Sequence, residues 1–188
     1  MNLQDKRGDL AINIGHLIGY LSDYEIMTLQ VFAKGIKTSP PKIVNIGGGA
    51  GTSGIAFVEA RPDAVIWTID SDIGSTEIGL EGEKRSFADT GLKLPQQILG
   101  NSAHIGNMWK FGQVDIVFVD GDHSPNYVVN DIKAWHKHVK RFGHMIFHDY
   151  GCEEWPGIKE VVDEVLWRDM EILVVDTLAV YKIVTEDL

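Results

Sequence analysis

Hydrophobic and polar positions along this chain change period several times, and each change marks an element. Between Asp23 and Lys34, Ile26, Leu29 and Phe32-Ala33 recur at helical spacing, and Ser22 or Asp23 can cap that helix. The short apolar run Ile43–Ile46 reads as a buried strand, and a helix follows over Ser53–Ala60. Arg61-Pro62-Asp63 breaks the pattern before a second strand, Val65–Ile69. A long polar helix over Thr76–Ala88 is expected to stop at Thr90-Gly91, where glycine suits a left-handed cap. Gln97–Leu99 is a short third strand and Ala103–Trp109 a short helix. Val114–Val119 is a fourth strand, rich in β-branched residues, and Asn126–Val139 the next helix. Gly143 leads into strand five, Met145–Phe147, and Ile158–Trp167 is the last helix. Ile172–Val175 and Ala179–Ile183 close the chain around Asp176-Thr177.

That alternation fixes a fold class. Strands joined through helices pair in parallel, which gives an α/β, doubly wound sheet. The seven strands end differently, because a connection as short as Asp176-Thr177 joins only antiparallel neighbours. The sheet is therefore expected to be mostly parallel, with one antiparallel strand near the C-terminus. In such sheets ligands bind at the carboxyl ends of the strands. The unusual polar clusters all fall there: Gly47–Gly51, Asp70–Asp72, Gly100–Ser102, Asp120–His123 and His148-Asp149.

Composition narrows the function classes. A length of 188 residues suits one domain over 1–188, with residues 1–40 as its N-terminal helical segment. Apolar residues at 44% and charged ones at 23% are ordinary for a soluble protein. Apolar runs such as Val114–Val119 are far too short to span a bilayer, so no membrane is expected as a partner. Met1–Arg7 lacks the apolar core of a signal peptide, which points to the cytoplasm. The single cysteine, Cys152, excludes an intrachain disulfide, and with no adjacent base it makes a poor nucleophile. A net charge of −10 with scattered basic residues argues against a nucleic-acid partner. The densest basic group, Lys133, Lys137, Lys140 and Arg141, reads as a solvated helix face, with His136 and His138 on the same surface. His16, His104 and His144 lack partners at metal spacing.

The chemistry sits in the strand-end loops. Asn45-Ile46-Gly47-Gly48-Gly49-Ala50-Gly51 runs from a strand into a helix, with glycine at alternate positions. Glycine lets backbone approach a ligand closely, and the helix N-terminus offers amide donors to it. Asp70, about twenty residues on, is placed to take ribose hydroxyls, or else to cap the following helix, a task that suits Asp72 better. Asn101-Ser102 can meet a purine edge or cap the next helix. Asp120-Gly121-Asp122-His123 and His148-Asp149 bring carboxylates and imidazoles to neighbouring strand ends. That set suits a divalent cation, or a general base acting on a hydroxyl; a helix cap at Asp122 with a structural Asp149 is the plainer alternative. Trp109 and Trp155 are candidates for a pocket wall.

With these motifs in view, the chain resembles the class I S-adenosyl-L-methionine (SAM) dependent methyltransferases. It is most similar to small O-methyltransferase-like members carrying Asp-Gly-Asp-His-Ser, here Asp120–Ser124, and His-Asp-Tyr, here His148-Asp149-Tyr150. The match extends to Gly100–Ala103, to Asp131-Ile132 with Trp135, and to Gly157-Ile158-Lys159. Ile18–Ser22 with Glu25 is similar to the family's entry helix, so nearly the whole chain is covered. The resemblance implies a Rossmann-like sheet. It implies SAM held through Asn45, Gly47, Gly49, Asp70, Asn101, Ser102 and Asp120. It implies O-methylation of a small-molecule or sugar hydroxyl with His123 as base. Metal-using relatives imply Mg²⁺ or another divalent cation at Asp120, His148 and Asp149. Two departures stand out: Asn45 replaces an acidic residue, and His148 stands where some metal-using relatives have glutamate. The partners expected are a small-molecule acceptor and a second copy in a homodimer. Two other readings stay open: a catalytically silent SAM-binding subunit, and an NAD-dependent oxidoreductase, which the glycine spacing and Asp70 permit.

Overall fold

The computed structural model describes residues 20–72, 78–185 and 188. Residues 1–19, including His16 and the Ile18-Gly19 start of the entry segment, lie outside the described residues, as do Thr76 and Glu77 of the expected polar helix. The elements run α1 (Asp23–Gly35), β1 (Lys42–Ile46), α2 (Thr52–Ala60), β2 (Val65–Asp70), α3 (Gly79–Thr90), β3 (Gln96–Leu99) and α4 (Ser102–Asn107). They continue with β4 (Val114–Val119), α5 (Pro125–Trp135), β5 (Val139–Phe147), α6 (Ile158–Val165), β6 (Met170–Val175) and β7 (Leu178–Lys182). Among the described residues no helix is long and apolar enough to cross a membrane.

The seven strands form one sheet in the order β3-β2-β1-β4-β5-β7-β6. Strands β1 to β5 pair in parallel, whereas β7 is antiparallel to both β5 and β6. The alternating pleat sends side chains to two apolar layers. Ile43, Ile66, Ile116, Phe118 and Ile146 face α1 and α2 through Leu29, Ala33, Ile55 and Phe57. Val44, Val117, Met145, Phe147 and Tyr181 face α5 and α6 through Ile132, Trp135, Ile158 and Val162. The order reverses between β1 and β4, and this switch point is where the two halves of the rim meet.

Several boundaries differ from the sequence pattern. The helix expected over Asn126–Val139 ends at Trp135, a 3₁₀ turn covers His136–His138, and Val139 already pairs with Val114 in the sheet. His136 is consequently not a surface residue: it is 2% exposed, with Nε2 2.8 Å from Asp169 Oδ2. His138 is half-buried, its Nε2 2.8 Å from the Gly106 carbonyl. Lys140 is drawn inward by Asp115, 2.7 Å away, so the basic group is not one uniform face. The last helix stops at Val165 rather than Trp167, which is 71% exposed, and β6 starts at Met170. Trp109 packs edge-on against Trp67 and Trp135 beneath the sheet and belongs to the core.

Candidate active site

Backbone hydrogen bonds stitch the five loops into one rim. Gly100 N donates to Asp70 O, Gly47 N to Ile69 O, Asp120 N to Ile46 O and His148 N to Val119 O, at 2.8 to 3.1 Å. At the switch point the approach is closest. Gly47 has φ +94°, and a Cβ there would lie 2.0 Å from the Asp120 carbonyl oxygen, so no side chain fits.

On the β1–β3 side the residues shape an open cradle. Gly49 has φ +47°, and among the described residues no heavy atom beyond its chain neighbours lies within 4 Å of where its Cβ would be. Gly51 opens α2 in the left-handed region and leaves that N-terminus without a side-chain cap. Beneath it Asn45 is fully buried; its Oδ1 accepts from Ser53 Oγ at 3.1 Å, while Nδ2 has no partner among the described residues. Asp70 Oδ2 accepts from Gly48 N at 2.7 Å and Oδ1 from Asp72 N at 2.9 Å, which fastens the glycine loop to β2. A carboxylate has about four lone-pair positions, so Asp70 keeps capacity for hydroxyl donors. Asn101 caps α4, accepting from His104 N at 2.9 Å. Ser102 Oγ donates to Asp131. Burial pushes the Asp131 carboxyl up to about 6 against that bond.

Under this cradle lies Glu83, which the sequence pattern does not single out. It is fully buried, accepting from Thr68 Oγ1 at 2.7 Å and Gln97 Nε2 at 2.9 Å. Burial outweighs both hydrogen bonds, and its carboxyl is pushed up to about 7.

The β4–β5 side brings the titratable groups together. His123 Nδ1 lies 2.6 Å from Asp149 Oδ2. Its ring stacks on Trp155, with centroids 4.6 Å apart and planes at 21°. Trp155 is carried there by two successive turns, Cys152 N to Asp149 O and Trp155 N to Cys152 O. The cleft in front, about 540 Å³, is lined by Gly121–Pro125, Trp155 and Pro156. Asp122 does not cap a helix directly; it accepts from Ser124 N at 2.8 Å and Ser124 is the N-cap of α5.

His148 stands behind this pair. Its Nδ1 is 3.1 Å from Asp120 Oδ1 and 3.3 Å from Asp149 Oδ2, and its Nε2 is 3.5 Å from Glu25 Oε2. Burial alone would lower its pKa, but the facing carboxylates of Asp120, Asp149 and Glu25 prevail and push it up to about 12, favouring the imidazolium. Burial pushes the Asp120 carboxyl up against the pull of His148. Glu25 is 2% exposed; it completes a capping box with Ser22 at the start of α1 and accepts from Thr177 N and Oγ1 at 3.0 and 2.9 Å. Its S-x-x-E spacing with Ser22 is legible in the sequence, but its second task, beside His148 123 residues later, is not. One ligand atom each from Asp120, His123 and Asp149 lie within 4.8 Å of one another, spacing a metal ion could use.

A glycine cradle thus lies beside a carboxylate–imidazole cleft, at the switch point of a sheet ending in an inserted antiparallel strand. Residues 44–150 match the family model described as a methyltransferase domain, and the chain belongs to that family. An uncharacterised protein of Acanthamoeba polyphaga mimivirus is 33% identical over 57 residues, 28% of this chain and 26% of that protein; the match therefore spans about a quarter of that relative's length. Among solved structures, the O-methyltransferase TomG from Streptomyces achromogenes, in complex with SAM, superimposes with a TM-score of 0.68 at 18% identity, covering 88% of this chain and 82% of that one. A putative caffeoyl-CoA O-methyltransferase from Staphylococcus aureus gives 0.67 at 15% identity, covering 88% and 86%. These likenesses describe the fold.

Proposed function

We propose that this protein transfers a methyl group from SAM to a hydroxyl oxygen of a small-molecule acceptor, with His123 as the general base. The observation that carries this reading is the 2.6 Å contact between His123 Nδ1 and Asp149 Oδ2, which orients the ring while Nε2 keeps no partner among the described residues. The ring is 38% exposed and lines the cleft, so Nε2 is available to an incoming hydroxyl.

The residues present fit the cofactor. Gly47 lets the glycine loop pass close against the Asp120 backbone, Gly49 leaves open space above it, the uncapped start of α2 supplies amide donors, and the orphaned Asn45 Nδ2 is a buried donor in need of an acceptor. In this reading the glycine loop and Asn45 hold the methionine part, Asp70 the ribose, the Asn101-Ser102 turn the adenine edge, and Asp120 borders the methyl end. When bound, SAM supplies a methyl group activated by its positively charged sulfur. His123 then takes the acceptor proton at Nε2 as the oxygen becomes nucleophilic, and Asp149 stabilises the imidazolium so formed. His148 lowers the repulsion between Asp120 and Asp149, so both can remain at the site.

A second reading is favoured by the spacing of Asp120, His123 and Asp149: a divalent cation such as Mg²⁺ held there, acidifying the hydroxyl. His148 turns both ring nitrogens towards carboxylates and serves this arrangement as a fixed cation behind the two acids. Calorimetry with SAM and S-adenosylhomocysteine (SAH) tests the cofactor assignment: sub-millimolar binding of either supports it, and binding of neither removes it. Turnover in excess EDTA separates the two readings of His123, since the unaided base keeps its rate and the metal site loses it.

A further inference from the structure

The rim loops differ from the rest of the molecule in charge. Gly47–Gly51, Asp70–Asp72, Gly100–Ser102, Asp120–Ser124 and His148–Gly157 contain no lysine and no arginine, although the chain has 17. Basic side chains near the sheet are engaged: Lys140 on Asp115, Arg61 on Asp63, and Lys159, which packs over Tyr150 of the last rim loop, on Asp163 and the Tyr150 hydroxyl. At the cleft itself, Asp122 lies on the wall, and Asp120 and Asp149 lie behind His123. Among the described residues one imidazole, that of His148, faces three carboxylates, those of Asp120, Asp149 and Glu25, and no lysine or arginine pairs with them. Apart from Ser124 the rest of the wall is apolar: Gly121, Pro125, Pro156 and the planar Trp155 indole, which is 41% exposed and carries the His123 ring on one face.

From this charge distribution we infer that the acceptor is a flat hydroxy compound that is neutral or carries an amine, and that carboxylated or phosphorylated acceptors are rejected by the rim acids. This rests on the methyl-transfer reading of the cleft. A negative group on the acceptor meets no described lysine or arginine there and stands against Asp122 on the wall and the carboxylates behind His123, which repel it. An ammonium group meets the opposite: nearby carboxylates and an indole face, the surroundings that favour cations.

The test uses three matched catechols bearing aminoethyl, hydroxyethyl and carboxyethyl side chains. SAH binding is measured first; if it fails, the methyl-transfer reading fails, and the acceptor arms are read separately. On the SAH-loaded protein, saturation-transfer NMR titrations should rank the amine and the alcohol ahead of the carboxylate by on the order of tenfold or more. Carboxylate binding as tight as the alcohol, or no binding by any of the three in the millimolar range, overturns the inference. Asp122→Asn retains an acceptor for Ser124 N and should narrow the ratio. An unchanged ratio would contradict the assignment of the discrimination to the rim acids.

Discussion

Asp149 reaches His123 from a left-handed backbone: its φ is +58°, and its Oδ2 lies 2.6 Å from His123 Nδ1. Few residues other than glycine adopt that conformation, aspartate and asparagine being the most tolerant of it, and the cost is accepted where a side chain must be aimed. The same carboxylate oxygen is 3.3 Å from His148 Nδ1, so one residue orients the His123 ring and meets the buried His148.

Replacing Asp149 by asparagine should keep the backbone conformation and remove the charge. Turnover is expected to fall on the order of 10²–10⁴-fold, with SAH affinity little changed. Steady-state rates beside calorimetry check this; a rate within a few-fold of wild type would detach Asp149 from the base.

His148 is expected to matter more for folding than for any single contact. Removing it leaves Glu25, Asp120 and Asp149 facing one another in a buried space, so His148→Leu should cost about 3–5 kcal/mol in chemical denaturation. Its folded pKa is raised to about 12 from an ordinary 6.5. Its stabilisation is thus full below pH 6.5 and declines as pH rises towards 12. Denaturation midpoints taken across that window should fall in the wild type and flatten in the leucine variant.

Glu83 gives a second pH dependence at lower pH. Its carboxyl is raised to about 7 from 4.5, so the native state holds a proton that the unfolded chain releases. Stability attributable to this group is present below pH 4.5 and is lost as pH rises through 7, by on the order of 3 kcal/mol. Glu83→Gln can bond Thr68 and Gln97 without ionising. The variant should lose the decline between pH 5 and 7 and exceed the wild type in stability at pH 8; the same slope in both proteins would argue against it.

Much of this architecture is legible in the sequence because it is written locally. Alternating apolar runs, the Asp176-Thr177 turn and the glycines after β1 each report on their own neighbourhood, and they place the sheet and its rim. Asp120, His123, His148 and Asp149 could be grouped because each lies in the loop that follows β4 or β5, and parallel strands collect the loops at their ends. The rest depends on contacts between distant segments. Glu25 looks like a helix cap until α1 is laid beside the β6–β7 turn. Glu83 looks like one more charge on a polar helix until Gly51 and Gly54 let that helix sink towards β2. The helix drawn through His136–Val139 misled for a related reason: pairing of Val139 with Val114 overrode a continuous helical pattern.

The central claim is that His123 removes the acceptor proton, and comparing His123→Ala and His123→Gln with the wild type tests it most directly. The measurement is the rate of labelled methyl transfer from SAM to a hydroxyl acceptor, with SAH affinity determined on the same three proteins. The account expects both variants to lose on the order of 10²–10⁴ in rate with affinity unchanged, because glutamine can hydrogen-bond but cannot accept the proton. A glutamine variant as active as the wild type, or variants that lose SAH binding in step with rate, would contradict it and leave His123 as a structural residue of the loop after β4.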